Sequence, residues 1–139
     1  MNEQMWHLAS GTSLVIRADF AHPEAWERLR SAIAEPSPWD GFVAYVEVVD
    51  DPADEGLTAA RLVETAPPGT DQSFAFLVDT VTLTHPDQPV LVVNLRDGDT
   101  FRVVPPEMWS VQNNLSISNM DWAEFAGSVD DDGVFRGFA

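Results

Sequence analysis

The sequence has no cysteine, no lysine and no long apolar run, and each absence excludes a class of chemistry. Without cysteine the chain can form no disulfide, no thiolate nucleophile and no cysteine-based zinc site. No segment reaches the ~18 consecutive apolar residues that a membrane-spanning helix needs. Residues 1–11 have neither a basic start nor an apolar stretch, so no secretory signal is expected. The simplest expectation is a cytoplasmic protein.

The charge balance is the strongest positive feature of the sequence. The 139 residues include 23 Asp and Glu against 7 Lys and Arg, which gives a formal net charge of −16, and all of the cations are arginines. Such a surface repels phosphate backbones and anionic lipid head groups, and it attracts basic partners or metal ions. We therefore expect neither nucleic acid nor membrane as a partner.

Hydrophobic periodicity and turn residues predict a single α/β domain over 13–139, preceded by an N-terminal extension over 1–12. The predicted strands are 13–19, 42–49, 74–83, 89–95 and 100–104, and the predicted helices are 23–35, 58–65, 106–112 and 120–128. The first half favours parallel pairing through crossover helices, and the second half favours an antiparallel meander. The expected fold is α/β with an α+β tendency: one mixed five-stranded sheet with about four helices.

Capping residues define the predicted ends of the last two helices. Asn113 and Asn114 are expected to end the helix that Pro106 opens, because asparagine tolerates the left-handed conformation. Ser118 is expected to cap the last helix, with Asp121 answering it three residues on.

Acidic residues follow the first two predicted strands: Asp19, Asp50 and Asp51. Ligands of open α/β sheets usually bind at this carboxyl edge, and three oxygen donors there could hold Mg²⁺. A receiver domain of two-component signalling places acidic residues similarly, but it needs a lysine that this chain lacks. We prefer the interpretation that these are ordinary strand-ending carboxylates. No metal and no cofactor is predicted.

Polar residues interrupt three of the apolar strands: Arg17, Asp79 and Asn94. If the first and third strands are neighbours, Arg17 and Asp79 are expected to pair, because an unpaired buried carboxylate is costly. The three residues then line a polar pocket, or they form a satisfied polar pair within the sheet. We favour the second interpretation.

No motif predicts a catalytic residue. His7, His22 and His85 lack a second ligand at metal-binding spacing, and no Gly-x-Ser-x-Gly elbow, Walker loop or Gly-x-Gly-x-x-Gly string is present.

Residues 105–121 form the most distinctive segment, because their charge is low in an otherwise acidic chain. Trp109 and several carboxamides, among them Asn113 and Asn114, are typical of a recognition surface with adaptable hydrogen bonds. The alternative is that Met108 and Trp109 belong to the core and the asparagines are caps. Both interpretations stay open.

Five strings are similar to an actinobacterial family of domains of unknown function (domain of unknown function 6924). They are LVIRADF at 14–20, VVDDP at 48–52, FRVVP at 101–105, EMWSVQNNLSISNMD at 107–121 and GVFRGF at 133–138. The resemblance covers nearly the whole chain and implies a free-standing small domain in soil bacteria. It supplies no catalytic residue.

The first functional hypothesis is a non-enzymatic binding protein for a basic protein partner, of the immunity-protein or adaptor kind. The alternative is an enzyme or sensor for a small ligand or metal, with a pocket at the carboxyl edge that Trp109, Asn113 and Asn114 close. A third is a self-associating domain, for which a dimer is the simplest form. The candidate binding residues are Arg17, Asp19, Asp50, Asp51, Asp79, Trp109, Asn113 and Asn114.

Overall fold

A computed structural model describes residues 5–6, 11–38 and 41–138. Within these residues one mixed sheet has six strands in the order β2-β1-β3-β4-β5-β6. The strands are β1 (Ser13–Arg17), β2 (Val46–Val49), β3 (Phe74–Val78), β4 (Val90–Asn94), β5 (Thr100–Val103) and β6 (Val134–Phe135). The α-helices are α1 (Pro23–Ala34), α2 (Ala59–Thr65), α3 (Thr80–Thr84), α4 (Met108–Ser116) and α5 (Trp122–Ala126), with 3-10 helices at Pro52–Asp54 and Pro105–Glu107.

The pairing directions confirm the predicted division of the sheet. β1 lies between β2 and β3 and is parallel to both, whereas β3, β4 and β5 pair in antiparallel order. The prediction of five strands is wrong, because β6 pairs in parallel with β5 at the edge. With two residues β6 is too short to produce an alternating pattern, so periodicity could not find it.

The two faces of the sheet bury different residues, as strand alternation requires. On one face Val15 and Phe76 contact the stripe of α1 that contains Trp26 and Leu29. On the other face Leu14 and its same-side neighbours contact Leu62 of α2, together with Met5 and Trp6. The helices therefore cover both faces, and the sheet edges and strand ends remain as the places for a site.

The predicted third strand, 74–83, is wrong in its second half. β3 ends at Val78, and Asp79 caps α3 instead of continuing the strand. The Asp79 carboxylate accepts from the backbone N–H of Thr82 at 3.1 Å, and the Asp79 N–H donates back to the Thr82 hydroxyl at 3.4 Å. Threonine and valine favour strands intrinsically, so this reciprocal cap overrides the propensity of the residues that follow.

Both predicted boundaries near the C-terminal helices are also wrong. Asn113 and Asn114 lie inside α4, which continues to Ser116 and stops before Ser118, a residue with a φ of 56°. Asp121, not Ser118, is the N-cap of α5, and its N–H donates to Glu124 at 2.9 Å. β2 is likewise shorter than predicted and begins at Val46.

Candidate functional site

Buried Asp19 and partly exposed His22 form a hydrogen-bonded pair at the carboxyl end of β1. Asp19 is 5% exposed, and its carboxylate lies 3.0 Å from Nδ1 of His22 and accepts from the N–H of Ala21 at 2.7 Å. Burial raises the pKa of Asp19, but hydrogen bonds from Thr80, Ala21 and His22 outweigh it and hold the pKa below its ordinary value. Asp19 is therefore an ionised group that orients the imidazole.

Arg17 and Asp50 form the second ion pair of this edge. The Arg17 guanidinium lies 3.2 Å from Asp50 and 4.2 Å from the ring centre of Phe20, with the Trp26 ring 5.0 Å away on α1. Arg30 approaches the same carboxylate at 3.9 Å. The predicted pair between Arg17 and Asp79 is wrong, although β1 and β3 are neighbours, because Arg17 turns to the β2 side of the sheet.

Asp79 instead pairs with Arg102 of β5. Both guanidinium ends donate to the two carboxylate oxygens, at 3.0 and 2.8 Å. Burial raises the pKa of Asp79, but the bonds from Arg102 and Thr82 prevail and lower it overall. Sequence reasoning missed Arg102, although a single arginine in the apolar string 101–104 was a signal of the same kind as Arg17.

The alternative of a polar pocket lined by Arg17, Asp79 and Asn94 is wrong. β4 is antiparallel to β3, and its Asn94 pairs with Phe74 at the start of β3. Asn94 therefore lies at the opposite end of the strands from Arg17 and Asp79, and its side-chain oxygen accepts from the N–H of Arg96.

The carboxylates of Asp19, Asp50 and Asp51 point to separate partners. Asp51 caps the 3-10 helix Pro52–Asp54 by accepting from the N–H of Ala53. Among the described residues, no three His, Asp or Glu side chains are placed to hold a metal ion. The described residues therefore provide no set of ligands for the Mg²⁺ site that was considered at this edge.

A crevice opens at the same edge, between the ends of β1 and β3. Its volume is about 310 Å³, and its lining includes Ala18, Leu57, Leu77, Asp79 and Thr80. The chain leaves β1 towards α1 on one face and reaches β3 from α2 on the other, so this is the switch point at which α/β sheets bind ligands.

The carboxamides of the 105–121 segment mostly hold the fold together. Gln112 is 1% exposed, and its Oε1 accepts from the N–H of Tyr45 at 3.0 Å while its Nε2 donates to the Ser13 hydroxyl at 3.3 Å. Asn113 donates to the carbonyl of Val43 at 3.3 Å. These bonds fix α4 to the chain that leads into β2.

Asn114 is used in the same way at the end of α4. Its Nδ2 donates to the carbonyl of Ser110, and its Oδ1 accepts from Asn119. Asn113 and Asn114 therefore hold the fold together through their side chains, and the interpretation that they cap a helix is wrong.

Aromatic rings next to these amides remain on the surface. Trp109 is half-buried and its ring centre lies 5.0 Å from that of Phe42. Phe42 is 52% exposed and Tyr45 is 60% exposed. We call Phe42, Tyr45 and Trp109 the aromatic surface.

The aromatic surface lies away from the carboxyl edge. Gln112 and Asn113 reach the start of β1 and the chain before β2, which is the opposite end of the parallel strands. The predicted closure of a carboxyl-edge pocket by Trp109, Asn113 and Asn114 is therefore wrong.

The positive charges are largely neutralised within the molecule. Ion pairs with carboxylates are formed by Arg17, Arg30, Arg61, Arg102 and Arg136. Most carboxylates of the described residues are exposed, so the surface presents an excess of negative charge.

His85 accepts from the N–H of Asp87, and His7 lies outside the described residues.

These features define a small acidic domain with a mixed α/β sheet, one aromatic surface and one edge crevice. A family model described as Domain of unknown function (DUF6924) matches residues 12–138, so the chain belongs to that family. A comparison with curated proteins gives no match. None of the helices in the described part of the chain has the length and apolar character for crossing a membrane. The actinobacterial origin stays a prediction.

Proposed function

We propose that this protein is a non-enzymatic binding protein for a basic macromolecular partner, of the immunity-protein or adaptor kind. The observation that carries the proposal is the aromatic surface, where Phe42 is exposed beside Trp109 and Tyr45 is exposed three residues further along the chain. It lies on a molecule whose arginines are mostly bound to its own carboxylates and whose net charge is −16.

The two features contribute differently to binding. Excess negative charge accelerates the encounter with a basic protein and makes association sensitive to salt. Large aromatic side chains supply the buried contacts that hold the docked complex, and such residues often dominate interface energetics. Gln112 accepts from the N–H of Tyr45 and Asn113 donates to the carbonyl of Val43, so the backbone of the aromatic surface is already fixed and little conformational entropy is lost on binding.

Affinity capture from the native lysate, followed by calorimetry with the purified captured protein, tests this function. We expect the double variant Phe42→Ser, Tyr45→Ser to bind at least about 30-fold more weakly, since two exposed anchors are lost without a change of charge. We also expect the wild-type affinity to fall as salt is added.

The matched control is Val81→Ser, which removes an exposed apolar side chain from α3, 48% exposed and outside the aromatic surface. It should bind within about twofold of the wild type, because it lies outside the docking site. Salt-independent binding, or equal weakening by the control and the double variant, contradicts the proposal. If no partner is captured and sedimentation detects a homodimer, the proposal is contradicted and the aromatic surface is the interface between two copies of this chain.

The second candidate function is recognition of a small ligand at the carboxyl edge. The Asp19–His22 pair and the crevice beside Asp79 and Thr80 favour it, because an oriented imidazole and a nearby carboxylate are the groups that acid–base chemistry uses.

Thermal melting with a panel of metabolites and divalent cations separates the two candidates. If the protein binds only a macromolecular partner, we expect every compound to shift the melting temperature by less than about 1 °C. A compound raises that temperature only when it binds the folded state. A saturable shift of several degrees that His22→Gln abolishes and His85→Gln retains would establish the second candidate in place of the first.

A further inference from the structure

We propose that a basic, extended segment of the partner docks along the free edge of β2 and adds a strand to the sheet. This inference rests on the proposed function and names how the partner is held. The partner segment is recognised by the backbone of β2 and by the acidic and aromatic side chains around β2.

β2 is the terminal strand of the sheet, and the described residues give it one neighbouring strand, β1. The N–H of Ser13 donates to the carbonyl of Tyr45 at 3.0 Å, and Ser13 is in register with Val46. In a parallel ladder with this register, alternate residues face the neighbour. Val46 and Val48 therefore direct their N–H and C=O groups away from β1.

The side chains of Val46 and Val48 do not block that edge. Both contact the core cluster on the α1 face of the sheet, so only their backbone polar groups are left at the rim. β2 also has no proline, no lysine and no bulge, which are devices that protect an edge from strand addition.

The opposite edge of the sheet is protected by contrast. β6 has two residues, and the chain that follows it is held by Arg136, which forms ion pairs with Asp87, Asp130 and Asp132. Strand addition is therefore expected at β2 and not at β6.

The charges around β2 favour a basic strand over a second copy of this chain. Glu47 lies within β2 and Asp51 follows it, and neither forms an ion pair among the described residues. Two copies joined through β2 would bring these carboxylates close together between molecules of −16 net charge, and like charges across strands are destabilising. An arginine- or lysine-bearing strand reverses the sign of that interaction.

The aromatic surface continues the same track. Tyr45 directly precedes Val46 and Phe42 lies four residues before it, so we expect a strand bound along β2 and extended by about four residues to reach both rings. Backbone pairing and aromatic contacts would then belong to one interface.

The probe is a capped six-residue peptide of alternating arginine and valine, compared with the same peptide methylated on every amide nitrogen. Amide hydrogen exchange of the folded protein is followed by NMR. We expect the parent peptide to slow exchange at Val46 and Val48 at least about tenfold and to leave Glu47 and Val49, which already face β1, nearly unchanged. The methylated peptide keeps its charge and side chains but has no backbone N–H donors, and its N-methyl groups keep its backbone away from β2, so it should give no protection.

A variant pair tests the same contact from the protein side. Val48→Pro removes one outward N–H, whereas Val48→Ala shortens the side chain and keeps the donor. We expect the proline variant to bind the peptide at least about fivefold more weakly than the alanine variant, with both shown to be folded by their melting curves.

The outcomes separate the inference from the proposed function. Equal binding of both peptides, protection spread away from β2, or no binding of either peptide overturns strand addition. The proposed function survives those results if binding of the native partner still depends on Phe42 and Tyr45. Only its own calorimetric test, described above, can contradict it.

Discussion

Replacing Phe125 with alanine is expected to lower the free energy of unfolding by about 3–5 kcal/mol. Phe125 is fully buried in the last turn of α5, and its ring contacts those of Phe101, Phe135 and Phe138. Removing the ring leaves a cavity and takes away the surface on which β6 and the end of the chain rest. Thermal or urea unfolding measures the loss, which should appear as a fall of roughly 10–15 °C in Tm for a domain of this size.

Two controls make the result specific. Phe125→Leu keeps most of the volume and should lose less than half as much stability. Phe138→Ala removes a ring that is 51% exposed, so we expect a loss of about 1–2 kcal/mol. If Phe125→Ala melts within a few degrees of the wild type, the ring cluster does not hold the C-terminal segment as described.

The parts of the fold that depend on local pattern were predictable from the sequence. β1 and α1 carry their own periodicity, and both end within about two residues of their predicted limits. Leu14 and Ile16 occupy one face of the sheet and Val15 the other, as alternation indicates. The hairpin at Asp97 and Gly98 also forms, with Gly98 at a φ of 81°.

The elements that sequence reasoning missed depend on partners far along the chain. β6 is defined by its pairing with β5, and α3 is stabilised by a cap whose carboxylate also binds Arg102. Such contacts have no signature in the local string. The Thr80–Thr84 residues favour a strand intrinsically, and tertiary context decides against it.

Some residues of the candidate site were predictable from the sequence, but their connections were not. Arg17 within β1 and Asp79 directly after β3 are both engaged in ion pairs, which agrees with the argument that buried charges need partners. Their partners could not be assigned, because that requires the order of the strands. A recognition surface at Trp109 was one of two interpretations left open, whereas Phe42 and Tyr45 were assigned to a strand and not to a surface.

Gln112 is the residue on which the geometry of the aromatic surface depends, and Gln112→Leu is expected to cost about 2–3 kcal/mol. The substitution keeps the buried volume but leaves the Tyr45 N–H and the Ser13 hydroxyl without their partner. It also removes the acceptor of a bond from Asn113 at 3.0 Å. Denaturant unfolding gives the stability, and calorimetry with the captured partner gives the binding.

The matched control for this variant is Ser13→Ala, which removes only the long bond at 3.3 Å and should cost less than about 1 kcal/mol. Because Gln112 is itself buried, it cannot touch a partner, so any loss of affinity must come through the position of Tyr45 and its neighbours. We expect Gln112→Leu to weaken binding at least about threefold at a temperature where the variant is fully folded. If the Gln112→Leu protein is destabilised but folded and still binds with wild-type affinity, the partner does not contact the chain before β2. The aromatic surface is then not part of the interface.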